Sequence, residues 1–185
     1  MISLLSGYNF AFQISRNKFS ILKNTIMKGN EKLMTVLNAL LADELTAINQ
    51  YMVHSEMCAN WGYGKLHQAI RKQAMDEMFH AEWLIERILF LDGAPTVSNL
   101  NPMKIGKTVQ EMIINDNGDE FHAVRAYNEA IKLGREVDDQ GSVDLLTKIL
   151  KMEEGHVDWA EMQRAQIHQM GLENYLVNQT GGTAS

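Results

Sequence analysis

Only two prolines interrupt the 185 residues, Pro95 and Pro102, and both fall in one short stretch. Proline lacks a backbone donor and its ring clashes with the preceding helical turn, so it is the strongest helix breaker. Its confinement leaves long segments on either side free to be helical throughout. From Glu31 to about Asn60 the apolar Leu33, Leu37, Leu40, Leu41, Leu45, Ile48 and Met52 recur at three- and four-residue steps, which is one face of an amphipathic helix. Gly62 and Gly64 break it. A second helix is predicted from about Lys65 to Leu91 through Leu66, Ile70, Ala74, Ala81, Leu84 and Ile88, with Asp92-Gly93 as its C-cap signal. A third runs from about Val109 to Val137 and carries Ile113, Val124, Tyr127 and Ile131. Residues 138–142 predict a tight turn into a fourth, which carries Val143, Leu146, Ile149, Leu150, Val157, Ala160 and Ile167 to Met170-Gly171. A short apolar segment, Leu172 to Val177, predicts a fifth.

Loop lengths then set the topology. Short connections after the first and third helices imply antiparallel neighbours, whereas the segment from Gly93 to Lys107, extended at ~3.3 Å per residue, can run the length of a bundle. Such a crossover makes helices two and three parallel. The expected fold is all-α: an up-down-down-up four-helix bundle with its long crossover between helices two and three, plus a short C-terminal helix. Residues 27–179 form the expected domain, residues 1–26 a disordered extension or a start-site artefact, and residues 180–185 a flexible tail.

Charge and cysteine usage narrow the function. A net charge of -6 argues against a nucleic-acid partner and suits metal cations. The single Cys58 can form no intramolecular disulfide and no thiolate cluster, which points to a reducing cytoplasm. The apolar patches of residues 3–12 are too short and mixed to span a bilayer, so no membrane partner is expected.

The chemistry rests on two Glu-x-x-His motifs, Glu77-Met78-Phe79-His80 and Glu153-Glu154-Gly155-His156, on the second and fourth helices. Three-residue spacing puts each Glu and His on one helical face, and that face is the apolar, buried one. Buried polar groups must be paired with something. The first and third helices each offer one matching carboxylate, Glu44 and Glu120. One Glu from each of two helices plus Glu-x-x-His from each of the others is the carboxylate-bridged di-metal pattern of bundle cores. With neutral imidazoles the six groups carry a formal charge of -4, which two divalent cations offset. Oxygen and imidazole donors without thiolate fit iron or manganese better than structural zinc.

These residues also carry a family resemblance. Asp43-Glu44-Leu45-Thr46-Ala47-Ile48-Asn49-Gln50-Tyr51, Asn60-Trp61-Gly62, Asp76-Glu77-Met78-Phe79-His80-Ala81-Glu82, residues 85–91, Glu153-Glu154-Gly155-His156-Val157-Asp158-Trp159 and residues 170–176 resemble the bacterioferritins, over nearly all of residues 27–179. The resemblance implies a ferritin-like fold and a ferroxidase that oxidises Fe(II) with O2 or H2O2 for iron storage and detoxification. It places the two irons of each subunit on Glu44, Glu77, His80, Glu120, Glu153 and His156. Glu77 and Glu153 would bridge, Glu44 with His80 would complete one coordination sphere, and Glu120 with His156 the other. It further implies a hollow homo-oligomer of 24 subunits built from two-fold dimers. Each dimer would hold one b-type haem between the Met78 thioethers of its two chains, and a ferredoxin-like reductant would serve iron release. Helical geometry agrees with a separate role for Met78, which is rotated about 100° from Glu77 and so points away from the metal face. Tyr51 and Trp159 lie near the expected metal face and read as core aromatics.

Overall fold

A computed structural model of the chain describes residues 27–181. Five helices account for about four-fifths of them: α1 (Glu31–Asn60), α2 (Gly64–Phe90), α3 (Val109–Glu136), α4 (Gln140–Met170) and α5 (Leu172–Gln179). The four long ones extend over 27 to 31 residues, roughly 40 to 46 Å each at ~1.5 Å per residue. Helix α1 packs chiefly on α2, and α3 on α4. The expected leader, residues 1–26, and the end of the expected tail, residues 182–185, lie outside the described residues.

Local chemistry fixes the helix ends. Asn30 caps α1, its side-chain oxygen accepting from the backbone N–H of Lys32 and Leu33. Thr108 does the same for α3 and Asp139 for α4. The α4 cap moves one expected boundary: because Asp139 accepts from the Ser142 N–H, residues 140–142 belong to the helix rather than to the turn before it. Gly64 likewise is the first residue of α2 and not part of the break. The C-termini of α2 and α3 end alike. In each an aspartate, Asp92 or Asp138, takes the left-handed conformation, and the next residue donates back, Gly93 to Ile88 and Asp139 to Gly134. Gly93 itself has no left-handed backbone; it is tightly packed, since a Cβ there would lie 3.1 Å from the Ile88 Cγ2 and carbonyl oxygen and would displace the flexible end of Met34.

The crossover, residues 91–108, runs back along α1 from its N-terminal to its C-terminal half. Four backbone N–H groups of this segment reach side chains of α1 in register: Thr96 to Asn38 at 2.7 Å, Asn101 to Thr46 at 2.8 Å, Lys104 to Gln50 at 2.8 Å and Gly106 to His54 at 3.0 Å. Steps of eight, four and four residues put these acceptors on one stripe of the helix. That ladder returns the chain to the end of the bundle where α1 finishes, so α3 starts there and runs parallel to α2.

Two apolar clusters fill the bundle. One gathers Leu33, Leu37, Leu41, Leu84, Ile88, Tyr127, Leu146 and Ile149, and the other Tyr51, Cys58, Leu66, Ile70, Met112, Ile113 and Tyr175. Helix α5 closes the second cluster, with Tyr175 fully buried and donating to Gln163 at 2.9 Å. Between the clusters, all four long helices pass through a layer of buried polar side chains. No helix among the described residues is long and apolar enough to cross a membrane.

Candidate di-metal site

The polar layer contains the six side chains singled out in the sequence, and it brings all of them together. Glu44, Glu77, His80, Glu120, Glu153 and His156 are buried, none more than 7 % exposed. They form two groups of ligand atoms, each within 4.8 Å of one another: Glu44, Glu77, His80 and Glu153 in one, Glu77, Glu120, Glu153 and His156 in the other. Glu77 and Glu153 are common to both. Each divides its oxygens between the halves. Glu77 Oε2 lies 2.8 Å from the Nδ1 of His80 while Oε1 lies 3.0 Å from the Nδ1 of His156. Glu153 Oε1 lies 2.9 Å from the Nδ1 of His80 and Oε2 3.5 Å from that of His156. Glu44 and Glu120 stand at the outer ends, 3.5 Å from His80 and 3.6 Å from His156 respectively.

Close as these atoms are, they are aimed past one another. Both Glu77 oxygens, Glu153 Oε1 and the Nδ1 of each histidine lack a hydrogen-bond partner. Native interiors rarely leave buried polar atoms in that state. Lone pairs that converge on common points without bonding one another fit two cations, held by three carboxylates and one imidazole apiece.

The outer carboxylates are tied down instead. Tyr51 of α1 donates to Glu120 of α3 at 2.5 Å, and Tyr127 of α3 donates to Glu44 of α1. Each tyrosine follows the glutamate of its own helix by seven residues, so the pairs are related by a pseudo-two-fold axis through the site. Burial, reinforced by the Glu120 and Glu44 charges, raises the Tyr51 and Tyr127 phenols well above their ordinary range and keeps them donors. The sequence showed both aromatics on the core face but not this exchange; the repeated Glu-x6-Tyr spacing was the available signal.

Electrostatics among the six side chains follow from crowding. Burial, then the Glu153 charge, raises Glu44 well above the usual carboxylate range. Burial does the same to Glu120, with His156 opposing it. Burial would raise Glu153 as well, but the His156 and His80 imidazoles outweigh it and bring that carboxyl down to about 2. Burial alone would lower His80, yet the Glu153, Glu44 and Glu77 carboxylates push it up to about 12, and His156 moves the same way through Glu120, Glu153 and Glu77. The carboxylates around both imidazoles thus favour positive charge at the centre of the site.

A family model for the ferritin-like domain matches residues 34–170. The "Bacterial ferritin" of Synechocystis sp. is 42% identical over 154 residues, 83% of this chain and 99% of that protein. The "Bacterioferritin" of Mycobacterium leprae is 40% identical over 80% of this chain and 94% of its own length, and that of Rhodobacter capsulatus 38% identical over 80% and 92%. The chain belongs to the bacterioferritins.

Within this bacterioferritin the site communicates with both sides of the bundle. A cavity of about 510 Å³ opens between α1, α3 and the crossover; Asp43, Asp119 and His122 stand among its lining residues, as do Glu44, Glu77, Glu120 and Glu153. A second, of about 400 Å³, opens between α2 and α4 beside His156, Asp76 and Trp159. Met78 sits elsewhere: one residue from the buried Glu77, its side chain is 44 % exposed on the outside of α2, next to the equally exposed Phe79. Cys58 is fully buried, and burial pushes its thiol up to about 12, away from any thiolate chemistry.

Proposed function

We propose that the chain stores and detoxifies iron by oxidising Fe(II) at the six-ligand site. The observation that carries this is the division of Glu77 and Glu153 between His80 and His156, with five of the converging atoms left without hydrogen bonds. Fe(II) is the substrate, O2 or H2O2 the oxidant, and two irons held side by side supply two electrons together. Glu77 and Glu153 set the distance between the two cations. Glu44 and Glu120, oriented by Tyr127 and Tyr51, close the outer positions, and His80 and His156 offer their Nδ1 lone pairs once their protons have left. The acidic cavity between α1 and α3 supplies a route by which hydrated cations reach the carboxylates.

The same reading extends to assembly and haem. Exposed Val53, Met78, Phe79, Leu89, Phe90 and Ile114 leave apolar surface on the single subunit, which suits burial in a homo-oligomer. A shell of 24 chains built from two-fold dimers, in the cytoplasm, with a ferredoxin-like reductant for iron release, is the form the family resemblance implies. An exposed thioether at Met78 fits a soft axial ligand for a b-type haem shared with the Met78 of a second chain.

Stopped-flow oxidation of Fe(II) tests the site: Glu77→Ala or Glu153→Ala should slow the fast phase at least about 100-fold while the particle still assembles. A wild-type rate in both variants defeats the assignment. Met78→Leu conserves volume and should remove low-spin haem absorbance after reconstitution while leaving that rate near normal. An unchanged haem spectrum would move the ligand elsewhere.

A further inference from the structure

The pseudo-two-fold relation at the site is broken at one pair of positions. It exchanges Glu44 with Glu120, Tyr51 with Tyr127, Glu77 with Glu153 and His80 with His156. It must also exchange the residues that precede the two motifs, Asp76 and Met152. These are the side chains behind the imidazoles. The Nε2 of His156 lies 3.5 Å from Asp76 Oδ2, and the same oxygen is held by the Lys72 Nζ at 2.5 Å. The Nε2 of His80 lies 3.4 Å from the Met152 sulfur. Each half of the site offers three carboxylates and one imidazole, so the two halves differ not in their ligands but in what stands behind the histidine.

A carboxylate behind a metal-bound imidazole holds the proton on the far nitrogen, orients the ring and raises the basicity of the ligating nitrogen. A thioether is a weak acceptor and does little of this. Lys72 occupies one side of Asp76 and fixes it over His156. Resting on the di-metal reading above, we propose that Asp76 is a positioning residue that makes the Glu77, Glu120, Glu153 and His156 half the tighter one, so that the first divalent cation binds there. Occupation of the Glu44 and His80 half follows as the second, weaker step. The order of filling is thus written into two side chains that are not ligands.

Titration of the metal-free full chain with Co(II), followed by calorimetry and by the Co(II) visible spectrum, tests this. Glu77→Ala defines the site, since only steps lost in that variant are counted. Wild-type protein should show two such steps per chain separated by at least about tenfold in affinity. His156→Ala should remove the tighter and His80→Ala the weaker. Asp76→Asn, which keeps the shape and loses the charge, should weaken the first step about tenfold or more and leave the second in place. Met152→Asp should tighten the second step and bring the two together; Met152 is half-buried, so a carboxylate can be accommodated. Equal affinities in the wild type, or a gap that Asp76→Asn does not narrow, overturns the proposal. So does an Asp76→Asn variant that weakens both steps alike, which is the mark of a merely structural role. Fewer than two steps in the wild type, or two that survive Glu77→Ala, would instead sink the di-metal reading and this inference with it.

Discussion

Helices α1 and α3 take part in two buried polar clusters of opposite character. In one, His54, Asp116 and Gln50 are nearly or fully inaccessible to solvent, and their hydrogen-bonding groups are paired. The His54 Nδ1 lies 3.0 Å from Asp116, its Nε2 accepts from the Gly106 N–H, and the Gln50 amide reaches both Asp116 and Asp119 while its oxygen accepts from the Lys104 N–H. In the other, Glu77, Glu153, His80 and His156 are as buried and as close, yet atoms on all four are unbonded. Residue type and burial do not separate the two clusters; the completeness of their hydrogen bonding does.

The contrast predicts different failures. His54→Ala should cost about 3 kcal/mol in denaturant unfolding, because it strands the Asp116 carboxylate and the Gly106 N–H in the interior. Fast Fe(II) oxidation should persist in the fraction that remains folded. Loss of oxidation in a variant of undiminished stability would mean that the first cluster is part of the site after all.

Acid should act on the second cluster through proton competition. The surrounding carboxylates raise both imidazoles, His80 to about 12. A raised histidine contributes stability that is fully present below its unfolded value near 6.5 and is lost as pH climbs through the folded value. Metal must displace the proton, so stabilisation by metal runs the other way and grows with pH, by up to about tenfold in affinity per pH unit for each proton released. The rise in melting temperature on adding Co(II) should therefore be smaller near pH ~6 than near pH ~8. An increment independent of pH would mean that the imidazoles do not ligate through the protonated nitrogens.

The smallest expected effect lies at the hydrogen bonds that hold the outer carboxylates. Tyr51→Phe and Tyr127→Phe each remove one donor to an outer carboxylate, worth about 1 kcal/mol. Each should slow Fe(II) oxidation by only a few-fold, since the carboxylate itself stays in place. A loss as large as that of Glu77→Ala in either variant would give that tyrosine a direct part in the reaction.

Much of this protein is legible in its sequence because it rests on local periodicity. The confinement of Pro95 and Pro102 and the three- and four-residue apolar steps determine four helices and one crossover. The repeated Glu-x-x-His places a carboxylate and an imidazole on each buried stripe. Helix ends are less legible where the cap is a side chain reaching back, as at Asp139, and where Asp92 rather than Gly93 takes the left-handed conformation. Distance across the bundle is what periodicity cannot supply. That Glu77 and Glu153 share their oxygens between two histidines, that Tyr51 and Tyr127 exchange hydrogen bonds between α1 and α3, and that Asp76 stands behind one imidazole and Met152 behind the other all join residues far apart in the chain. A helix sequence fixes which face a side chain lies on; only the packing of four helices decides which atoms on those faces meet.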